Sequence, residues 1–360
     1  MTKHAGFVPS EDYFKKRVYS KDLTTYKVVD VGQFAYATIH LDEGSIGVAP
    51  VRCVISPMYT VFSIDHSRVD EQYLIRFLKS PQAMATYPVL GRGTAERRRS
   101  ISLDALSRLR VPLPPLPEQR RIAAILDEAD ALVATVRRQV LRIDEAEDRL
   151  FDATLGISQA KRTLTLADIA TDFRYGTSAR AGGTGFPVLR IPNVTGRAID
   201  INDLKTVDLA DSERNRLELT DRDVLFVRSN GNPKLVGRAA AFESLPAALR
   251  GEAPWVFASY LIRARLAPHI SSRAVVAAAR SRVGRQHLVG AAATSAGQYN
   301  ISIPVLKNLP MFDPYGGAQS KFDEASQSLT TQRALLDRRL ESLVALAASL
   351  RHRAFRGELD

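Results

Sequence analysis

Polar loops rich in arginine, lysine and asparagine are the segments of this sequence best suited to chemistry with a ligand. The loop at 172–187 places Arg174, Tyr175 and Arg180 on a glycine-rich backbone. The loop at 228–238 offers five candidate residues, which are Arg228, Asn230, Asn232, Lys234 and Arg238. Glycine lets a backbone approach phosphate closely, arginine and lysine bind phosphate or guanine, and asparagine pairs with adenine. Both loops therefore predict contacts with a nucleic acid.

Two further basic segments lie in the first third of the chain. Their basic residues are Lys15, Lys16 and Arg17 in the first segment and Arg92, Arg97, Arg98 and Arg99 in the second. A single loop of this kind is more often a solvated surface than a binding site. Four such loops in a chain with a net charge of +11 favour a polyanionic ligand.

The signatures of common catalytic and metal sites are not found in the sequence. It contains no phosphate-binding P-loop, no HExxH and no CxxC motif. The six histidines include no pair spaced four residues apart, so we expect no bound metal. Asp221, Asp223, Glu243 and Lys234 could be drawn as a nuclease site, but such spacings are common on solvated surfaces. These features argue against an enzyme.

Targeting signals and cysteine usage indicate the compartment. The sequence has no signal-peptide core and no apolar run of the length that a membrane helix needs. Its single cysteine, Cys53, excludes a disulfide framework. We therefore expect a cytoplasmic protein.

The chain repeats itself at an offset of 200 residues. The segment RRSISLDALSRLRVPLPPLPEQRRI at 98–122 aligns with QYNISIPVLKNLPMFDPYGGAQSKF at 298–322, and the alignment pairs Gln119 with Gln319. A weaker repeat at an offset of 190 aligns 32–35 with 222–225 and 45–47 with 235–237. The chain is therefore expected to contain two similar globular units.

A long amphipathic helix follows each copy of the repeat. The apolar spacing predicts one helix from about Pro117 to Thr154 and a second over about 317–355. The predicted seam between the helices consists of Ile122, Ile125, Ala129, Leu132, Val136, Ile143, Leu150, Phe322, Leu329, Leu336, Leu343 and Leu350. Two seams of equal length favour an antiparallel pair. The alternative is that each helix packs only on its own globular unit.

The remaining patterns predict mixed structure in both globular units. Strands are expected in 26–39, 53–64, 187–194 and 223–229, helices in 70–87 and 269–282, and a loop of small residues in 284–300. Residues 117–157 carry six basic and nine acidic side chains, so the positive excess lies in the globular segments. The sequence thus predicts an α+β protein with two mixed α/β units alternating with two long helices that form an antiparallel coiled coil.

These segments resemble the specificity (S) subunit of type I restriction–modification systems. The most specific match is VPLPPLPEQRRIAAILDEADAL at 111–132, which is similar to the proline-rich lead into the family's central helix. SLRHRAFRGEL at 349–359 is similar to the end of its distal helix. The segments at 20–47, 189–194 and 219–239 are similar to the middle of its target-recognition domains.

The resemblance implies boundaries for the domains of the chain and a role for each subunit of the complex. The expected parts are a first target-recognition domain at 1–111, a proline lead and central helix at 112–157, a second target-recognition domain at 158–310 and a distal helix at 311–360. In this family each domain reads one half of a split sequence in double-stranded DNA, and the helices set the gap between the halves. Two methyltransferase (M) subunits, which bind S-adenosylmethionine, and motor-nuclease restriction (R) subunits are the implied partners. The chain itself would bind no cofactor and perform no chemistry.

One departure from the family pattern concerns the first domain. It has no evident counterpart of about 164–204, so we expect an incomplete N-terminal part. This keeps a second hypothesis open, in which the chain is a non-catalytic structural adaptor with degenerate or single-domain DNA recognition.

Overall fold

The chain folds into two compact units. The computed structural model describes residues 2, 6–14, 19–20, 22–91, 100–157, 164–295, 297–315 and 317–359. Unit 1 comprises 1–138 and 337–360, and unit 2 comprises 139–336. Each unit therefore contains a stretch of both long helices. Within the described residues, no helix is at once long enough and apolar enough to cross a bilayer.

Unit 1 combines short antiparallel strands with short helices. Its described strands are β1 Lys27–Val29, β2 Phe34–Ala37, β3 Ile46–Val48, β4 Cys53–Ile55 and β5 Tyr59–Phe62. Its short helices are α1 Ser10–Tyr13, α2 Glu71–Leu78, α3 Pro81–Leu90 and α4 Leu103–Leu106, and α5 Leu116–Leu155 is the first long helix. The sheets have the strand orders β3-β2-β5 and β1-β4. The helix predicted over 70–87 is interrupted at Ser80-Pro81, which separates α2 from α3, and the Ser80 side chain caps α3.

Unit 2 contains the larger set of elements. Its strands are β6 Leu164–Thr165, β7 Ala170–Tyr175, β8 Phe186–Leu189, β9 Lys205–Val207, β10 Asp223–Val227, β11 Ser229–Asn230, β12 Ala239–Ala241, β13 Val256–Phe257, β14 Leu261–Leu266, β15 Ala293–Ser295, β16 Gln298–Asn300 and β17 Pro310–Met311. Its helices are α6 Leu166–Ile169, α7 Ile191–Val194, α8 Asp211–Leu217, α9 Ala247–Glu252, α10 Ser272–Arg280, α11 Arg282–Gly290 and α12 Ile303–Lys307, and α13 Ala318–Ala354 is the second long helix.

The main sheet of unit 2 is the centre of its core. The strand order is β12-β10-β14-β7, with smaller sheets β13-β8-β9, β11-β16-β15 and β17-β6 around it. All five residues of β10 are buried, and the apolar side chains of 224–227 alternate between two apolar clusters. Such a continuous apolar strand is typical of a central position in a sheet covered on both faces.

The two units repeat the same sheet in the same register. In unit 1 Ala35 of β2 lies opposite Val61 of β5. In unit 2 Leu225 of β10 lies opposite Arg263 of β14. The order β3-β2-β5 therefore corresponds to β12-β10-β14, as the weak repeat at an offset of 190 indicated.

The alignment of 45–47 with 235–237 is corrected by the strand pairing. Gly47 lies opposite Ala35, and Ala240 lies opposite Leu225, so Gly47 corresponds to Ala240 and not to Gly237. The shift of three residues arises because the connection from β10 to β12 is three residues longer than that from β2 to β3. The extra residues lie in the 228–238 loop.

A glutamine, buried in unit 1 and half-buried in unit 2, ties each sheet-and-helix domain to its long helix. In unit 1 Gln119 Oε1 accepts the N–H of Asp70 at 2.8 Å, and its Nε2 donates to the carbonyl two residues earlier at 2.9 Å. In unit 2 Gln319 makes the same two bonds around Ser271, at 3.0 and 2.8 Å. Asp70 and Ser271 are the N-caps of α2 and α10. The repeat at an offset of 200 is therefore also a repeat of contacts.

The long helices run antiparallel in unit 2. Asp144 of α5 pairs with Arg333 of α13 at 3.0 Å. Seven residues further along α5, Phe151 packs edge to face on Phe322, with ring centroids 5.8 Å apart. The residue numbers on α13 fall as those on α5 rise, so the predicted antiparallel pair is confirmed here.

The same direction holds in unit 1. Ala129 and Val133 of α5 pack with Ala347 of α13. The Arg121 guanidinium donates to the carbonyl of Leu359, beyond the end of α13. The C-terminal residues thus close the core of unit 1 beside the start of α5.

The buried row on the helices departs from the predicted seam at one position. Leu132 is 41% exposed, whereas its neighbour Val133 is buried. Leu126, Val133 and Val140, spaced seven residues apart, are all buried, so the apolar stripe of α5 extends beyond the predicted seam on this side. The other predicted seam residues are buried or half-buried, and these are Ile122, Ile125, Ala129, Val136, Ile143, Leu150, Phe322, Leu329, Leu336, Leu343 and Leu350.

A buried arginine fastens the domain of unit 2 to α5. The side chain of Arg197 is only 10% exposed and pairs with Asp144 at 3.0 Å, Glu147 at 2.5 Å and Asp148 at 2.9 Å. Spacings of three and four residues put these carboxylates on one face of the helix. Three carboxylates around one guanidinium compensate the free-energy cost of burying its charge. The same guanidinium without partners would be strongly destabilising.

Two sequence-based element predictions are wrong. Residues 284–300, expected to be a loop, contain most of α11 and the β15–β16 hairpin. The segment 187–194 is a strand only to Leu189, because Pro192 lies in the first turn of α7, where proline is tolerated. The proposed domain boundaries at 111, 157 and 310 stay predictions, since the compact units each include parts of both helices.

We expect Gln119→Ala to lower the free energy of unfolding of unit 1 by about 1–3 kcal/mol, because it leaves buried backbone groups without partners. Gln119 is 1% exposed. Urea unfolding followed by circular dichroism would measure the loss. Gln72→Ala, at an exposed position of α2 in the same unit, is the matched control and should change the value by less than about 0.5 kcal/mol. Equal effects of the two variants would contradict this role of Gln119.

Candidate nucleic-acid interface

Unit 2 contains a polar groove, here called the Arg228 groove. Its volume is about 700 Å³, and its lining residues are Ile191, Arg228, Ser229, Asn230, Gly231, Ser259, Tyr260, Gln298 and Asn300. No carboxylate is among these nine described residues. A groove with one cation, three amide side chains and a tyrosine is suited to an anionic ligand with hydrogen-bonding edges.

Buried strands fix the position of Arg228. It directly follows β10, and its N–H donates to the carbonyl of Tyr260 at 2.8 Å. Its own carbonyl accepts the N–H of Ile301 at 2.9 Å. The backbone of Arg228 is therefore held from both sides, and its side chain starts from a rigid base.

The side chain of Arg228 stacks on a tyrosine from the other predicted loop. Its guanidinium carbon lies 4.6 Å from the ring centroid of Tyr175, and its Nη1 donates to the carbonyl of Ser259 at 3.3 Å. The Tyr175 hydroxyl accepts the N–H of Ile303 at 3.1 Å. This cation–π contact brings 172–187 and 228–238 together and leaves guanidinium N–H groups for a ligand.

The asparagines of the loop shape its backbone. The N–H of Asn232 donates to Asn230 Oδ1 at 2.8 Å, and the N–H of Lys234 donates to Asn232 Oδ1 at 3.0 Å. Two successive turns of this type are stabilised by their own side chains. Asn232 and Lys234 are exposed, so the turns present them to solvent.

A half-buried arginine on α11 supports the backbone of the loop. Arg285 Nη1 donates to the carbonyl of Val236 at 2.8 Å, and its Nη2 lies 3.3 Å from the carbonyl oxygen of Lys234. Burial and the nearby Arg238 guanidinium lower the pKa of Arg285. Arg238 in turn donates from Nε to the carbonyl of Lys234 at 3.2 Å. Arg238 therefore also braces the turn, in addition to its predicted contact with nucleic acid.

Glycine is required at the end of this loop. Gly237 has φ of +72°, and a Cβ atom there would lie 2.9 Å from Leu288 side-chain atoms. Both the left-handed backbone and the close contact exclude a larger residue. The loop is consequently anchored at a defined point on α11.

Arg174 is directed away from Tyr175. Successive residues of a strand point to opposite faces, and these two are neighbours on β7. Arg174 lies 3.4 Å from Asp172, whose carboxylate also binds Arg263 at 2.5 Å. Burial opposes ionisation of Asp172, but hydrogen bonds from Arg263 and Arg174 outweigh it and lower the pKa of Asp172. Arg174 thus has an intramolecular partner.

The other predicted residues divide into two groups. Arg180 is exposed and does not line the groove. Lys15, Lys16, Arg17, Arg92, Arg97, Arg98 and Arg99 lie outside the described residues. A nucleic-acid contact of any of these side chains stays a prediction.

Asp223 has a structural role. It is fully buried on β10, and Arg265 binds its two carboxylate oxygens at 2.8 Å each. A carboxylate neutralised in this way is unsuited to the nuclease chemistry considered from the sequence. Across the described ranges, no group of three or more histidine, cysteine, aspartate and glutamate side chains could hold a metal ion.

Sequence reasoning missed Tyr260, Gln298 and Asn300 as groove residues. Gln298 and Asn300 lie on β16, inside the segment interpreted as a small-residue loop. The available signal was the alternation in Gln298-Tyr299-Asn300, which puts both amides on one side of a strand. Tyr260 lies in the turn between β13 and β14 and had no local pattern to mark it.

Sequence comparisons identify relatives of the chain. Residues 25–142 match the family model of the type I restriction modification DNA specificity domain. The specificity subunit of the type I restriction enzyme EcoKI from Escherichia coli K12 is 28% identical over 273 residues, covering 70% of this chain and 58% of the relative. The StySPI specificity subunit from Salmonella potsdam is 25% identical over 313 residues, covering 81% of this chain and 66% of the relative. The chain therefore spans about three fifths to two thirds of the length of these relatives.

Solved structures share the fold at low sequence identity. A chain from a study of complex assembly and conformational transition in the type I R-M system aligns with a TM-score of 0.55 at 16% identity, covering 93% of this chain and 85% of that one. The S subunit of a type I system from M. genitalium aligns with a TM-score of 0.52 at 15% identity, covering 91% and 83%. The predicted fold class is confirmed by these alignments. The chain is thus similar to the specificity subunits of type I restriction–modification systems, as its motifs indicated, and residues 25–142 match the DNA specificity domain of that family.

Proposed function

We propose that this chain is a sequence-specific DNA-binding subunit that directs a type I methyltransferase and its restriction subunits to a bipartite target. The observation that carries the proposal is the Arg228 groove. It joins a stacked arginine and three amide side chains on a rigid frame. The relatives' description as specificity subunits supports the same function.

The chemistry of the groove fits the edges of DNA bases. An arginine can bind guanine through two hydrogen bonds, and asparagine or glutamine can bind adenine in the same way. The Tyr175 ring limits the freedom of the Arg228 guanidinium, so less entropy is lost when it binds a base or phosphate. The net charge of +11 supplies long-range attraction to phosphate.

The repeated architecture supports a bipartite target. Unit 1 repeats the sheet register and the glutamine contact of unit 2. Two similar domains in one chain would each read one half of a split sequence. Methylation and cleavage would be performed by partners, namely two methyltransferase subunits carrying S-adenosylmethionine and the restriction subunits. In this proposal the chain itself is non-catalytic.

A second candidate is an adaptor in which only unit 2 reads DNA. In unit 2, β14 lies between β10 and β7. Its counterpart β5 pairs with β2 alone among the described strands of unit 1. A domain with this smaller sheet has less scaffold for a second set of loops, which favours single-domain recognition over a second full reader.

We expect Arg228→Ala combined with Asn230→Ala to reduce discrimination between preferred and unrelated duplexes about tenfold or more, because two base-edge partners are removed. Binding to unrelated DNA should change little, since most phosphate contacts remain. Fluorescence anisotropy with preferred and scrambled duplexes, each titrated at several salt concentrations, would measure both quantities. The full chain in complex with its methyltransferase is the species to test.

The matched control carries Asn215→Ala and Arg216→Ala. These residues have the same types, are exposed on α8 and do not line the groove. The control should keep the discrimination of the original chain. Equal discrimination by all three proteins would contradict a reading role for the 228–238 loop.

We expect Arg285→Met to weaken discrimination without removing any DNA-facing group, because the turn at 233–236 loses the donors that hold its carbonyls. Unsatisfied carbonyls should also lower the free energy of unfolding of unit 2 by about 1–3 kcal/mol. Amide hydrogen exchange of 230–238 would detect the loosened loop. Arg282→Met, at an exposed position on the same helix, should leave exchange and discrimination unchanged. Unchanged exchange in Arg285→Met would show that the loop is ordered by other contacts.

A further inference from the structure

Gln298 occupies a defined position at the rim of the Arg228 groove. It is the first residue of β16, after a turn in which Gly297 has φ of +76°. Its Nε2 lies 3.6 Å from the position that a Cβ atom of Gly231 would occupy. The amide of Gln298 therefore lies close to the backbone of the 228–238 loop.

The amide of Gln298 differs from the other amides discussed above. The side chains of Gln119 and Gln319 bind backbone groups, and Asn230 and Asn232 cap turns. Within the part of the chain that the structure describes, the side-chain amide of Gln298 makes no hydrogen bond, and the residue is exposed. Its carbonyl oxygen and both N–H groups are thus open to an external partner.

The strand that carries Gln298 pairs with strands on both sides, and Gln298 itself pairs with β15. Gln298 lies opposite Ser295 of β15. On the other side of β16, Asn300 lies opposite Ser229, next to Arg228. A side chain on a paired strand is positioned more narrowly than one on a loop, which is a requirement for reading a base edge.

Tyr260 provides an apolar surface in the same groove. Its ring is 59% exposed, while its backbone carbonyl is fixed by the N–H of Arg228 at 2.8 Å. Exposed aromatic rings on a rigid turn contact or stack on bases in many nucleic-acid-binding sites. The amide of Gln298 is suited to binding one base edge, and the Tyr260 ring is suited to contacting the neighbouring base pair.

We propose that Gln298 is a specificity-determining residue that selects an adenine, with its oxygen accepting from adenine N6 and its Nε2 donating to N7. Tyr260 contacts the neighbouring base pair. This inference rests on the proposed function of the groove in DNA binding. Gln298 is favoured over Asn230 for this role because Asn230 Oδ1 already accepts the N–H of Asn232.

The test is a change of base preference in Gln298→Glu. A carboxylate accepts but does not donate, so it should select the N4 amino group of cytosine in place of adenine. Gln298→Ala should lose about tenfold of discrimination at the same single position and retain the preferences at the others. The probe is a library of duplexes with a randomised core, selected by the full chain in complex with its methyltransferase and then sequenced.

Gln286→Ala is the matched control, because Gln286 is exposed on α11 and does not line the groove. It should select the same sequences as the original chain. Circular dichroism and unfolding curves establish that each variant is folded before selection.

The outcomes separate the inference from the function on which it rests. A one-position change from adenine to cytosine in Gln298→Glu, with loss of that preference in Gln298→Ala, supports the inference. Unchanged preferences in both folded variants overturn it and leave the proposed function intact. Loss of preference at every position in both folded variants also overturns the single-base role. Random selection by the original chain overturns the proposed function and the inference together.

Discussion

The antiparallel packing of the two long helices is the interaction on which both units depend. In unit 2 the helices meet through Phe151 and Phe322 and through the pair of Asp144 and Arg333. In unit 1 the C-terminal part of α13 completes the core, where Phe355 packs edge to face on Tyr73 and Phe77. Each core thus includes residues that are distant in sequence. Loss of the helix pairing would open apolar clusters in both units, and neither domain would keep the support that its outward-facing loops need.

This support explains how a polar groove can be rigid. Burying a cation or a polar backbone group without partners costs free energy. The polar groups behind the groove therefore need hydrogen-bond partners, and those bonds also order the groove. The apolar strand β10 delivers Arg228, the Tyr175 ring holds its guanidinium, and Arg285 holds the carbonyls of the loop. The side chains that line the groove are then carried by an ordered backbone. Affinity and selectivity benefit because little ordering remains to be done on binding.

Periodic patterns made the scaffold predictable. The apolar spacing predicted both long helices to within two residues of their ends, and the repeated Gln119 and Gln319 make equivalent contacts. The loop at 228–238 was also identified, because arginine, lysine and asparagine are concentrated in it. Prediction was poorer where tertiary contacts decide the structure. The β15–β16 hairpin within 284–300 is completed by pairing of β16 with β11, a contact between distant segments. The partner of Asp223 was hidden for the same reason, because Arg265 lies on another strand.

The measurement that tests the central claim most directly is the mapping of methylated adenines in DNA exposed to this chain together with its methyltransferase. If the chain addresses the enzyme through two domains, methylation will fall within one motif that has two specified halves separated by unspecified bases. Methylation without a common sequence, or the failure of the two proteins to form a complex, would contradict the account. A motif with a single specified half would assign recognition to one unit and support the adaptor hypothesis.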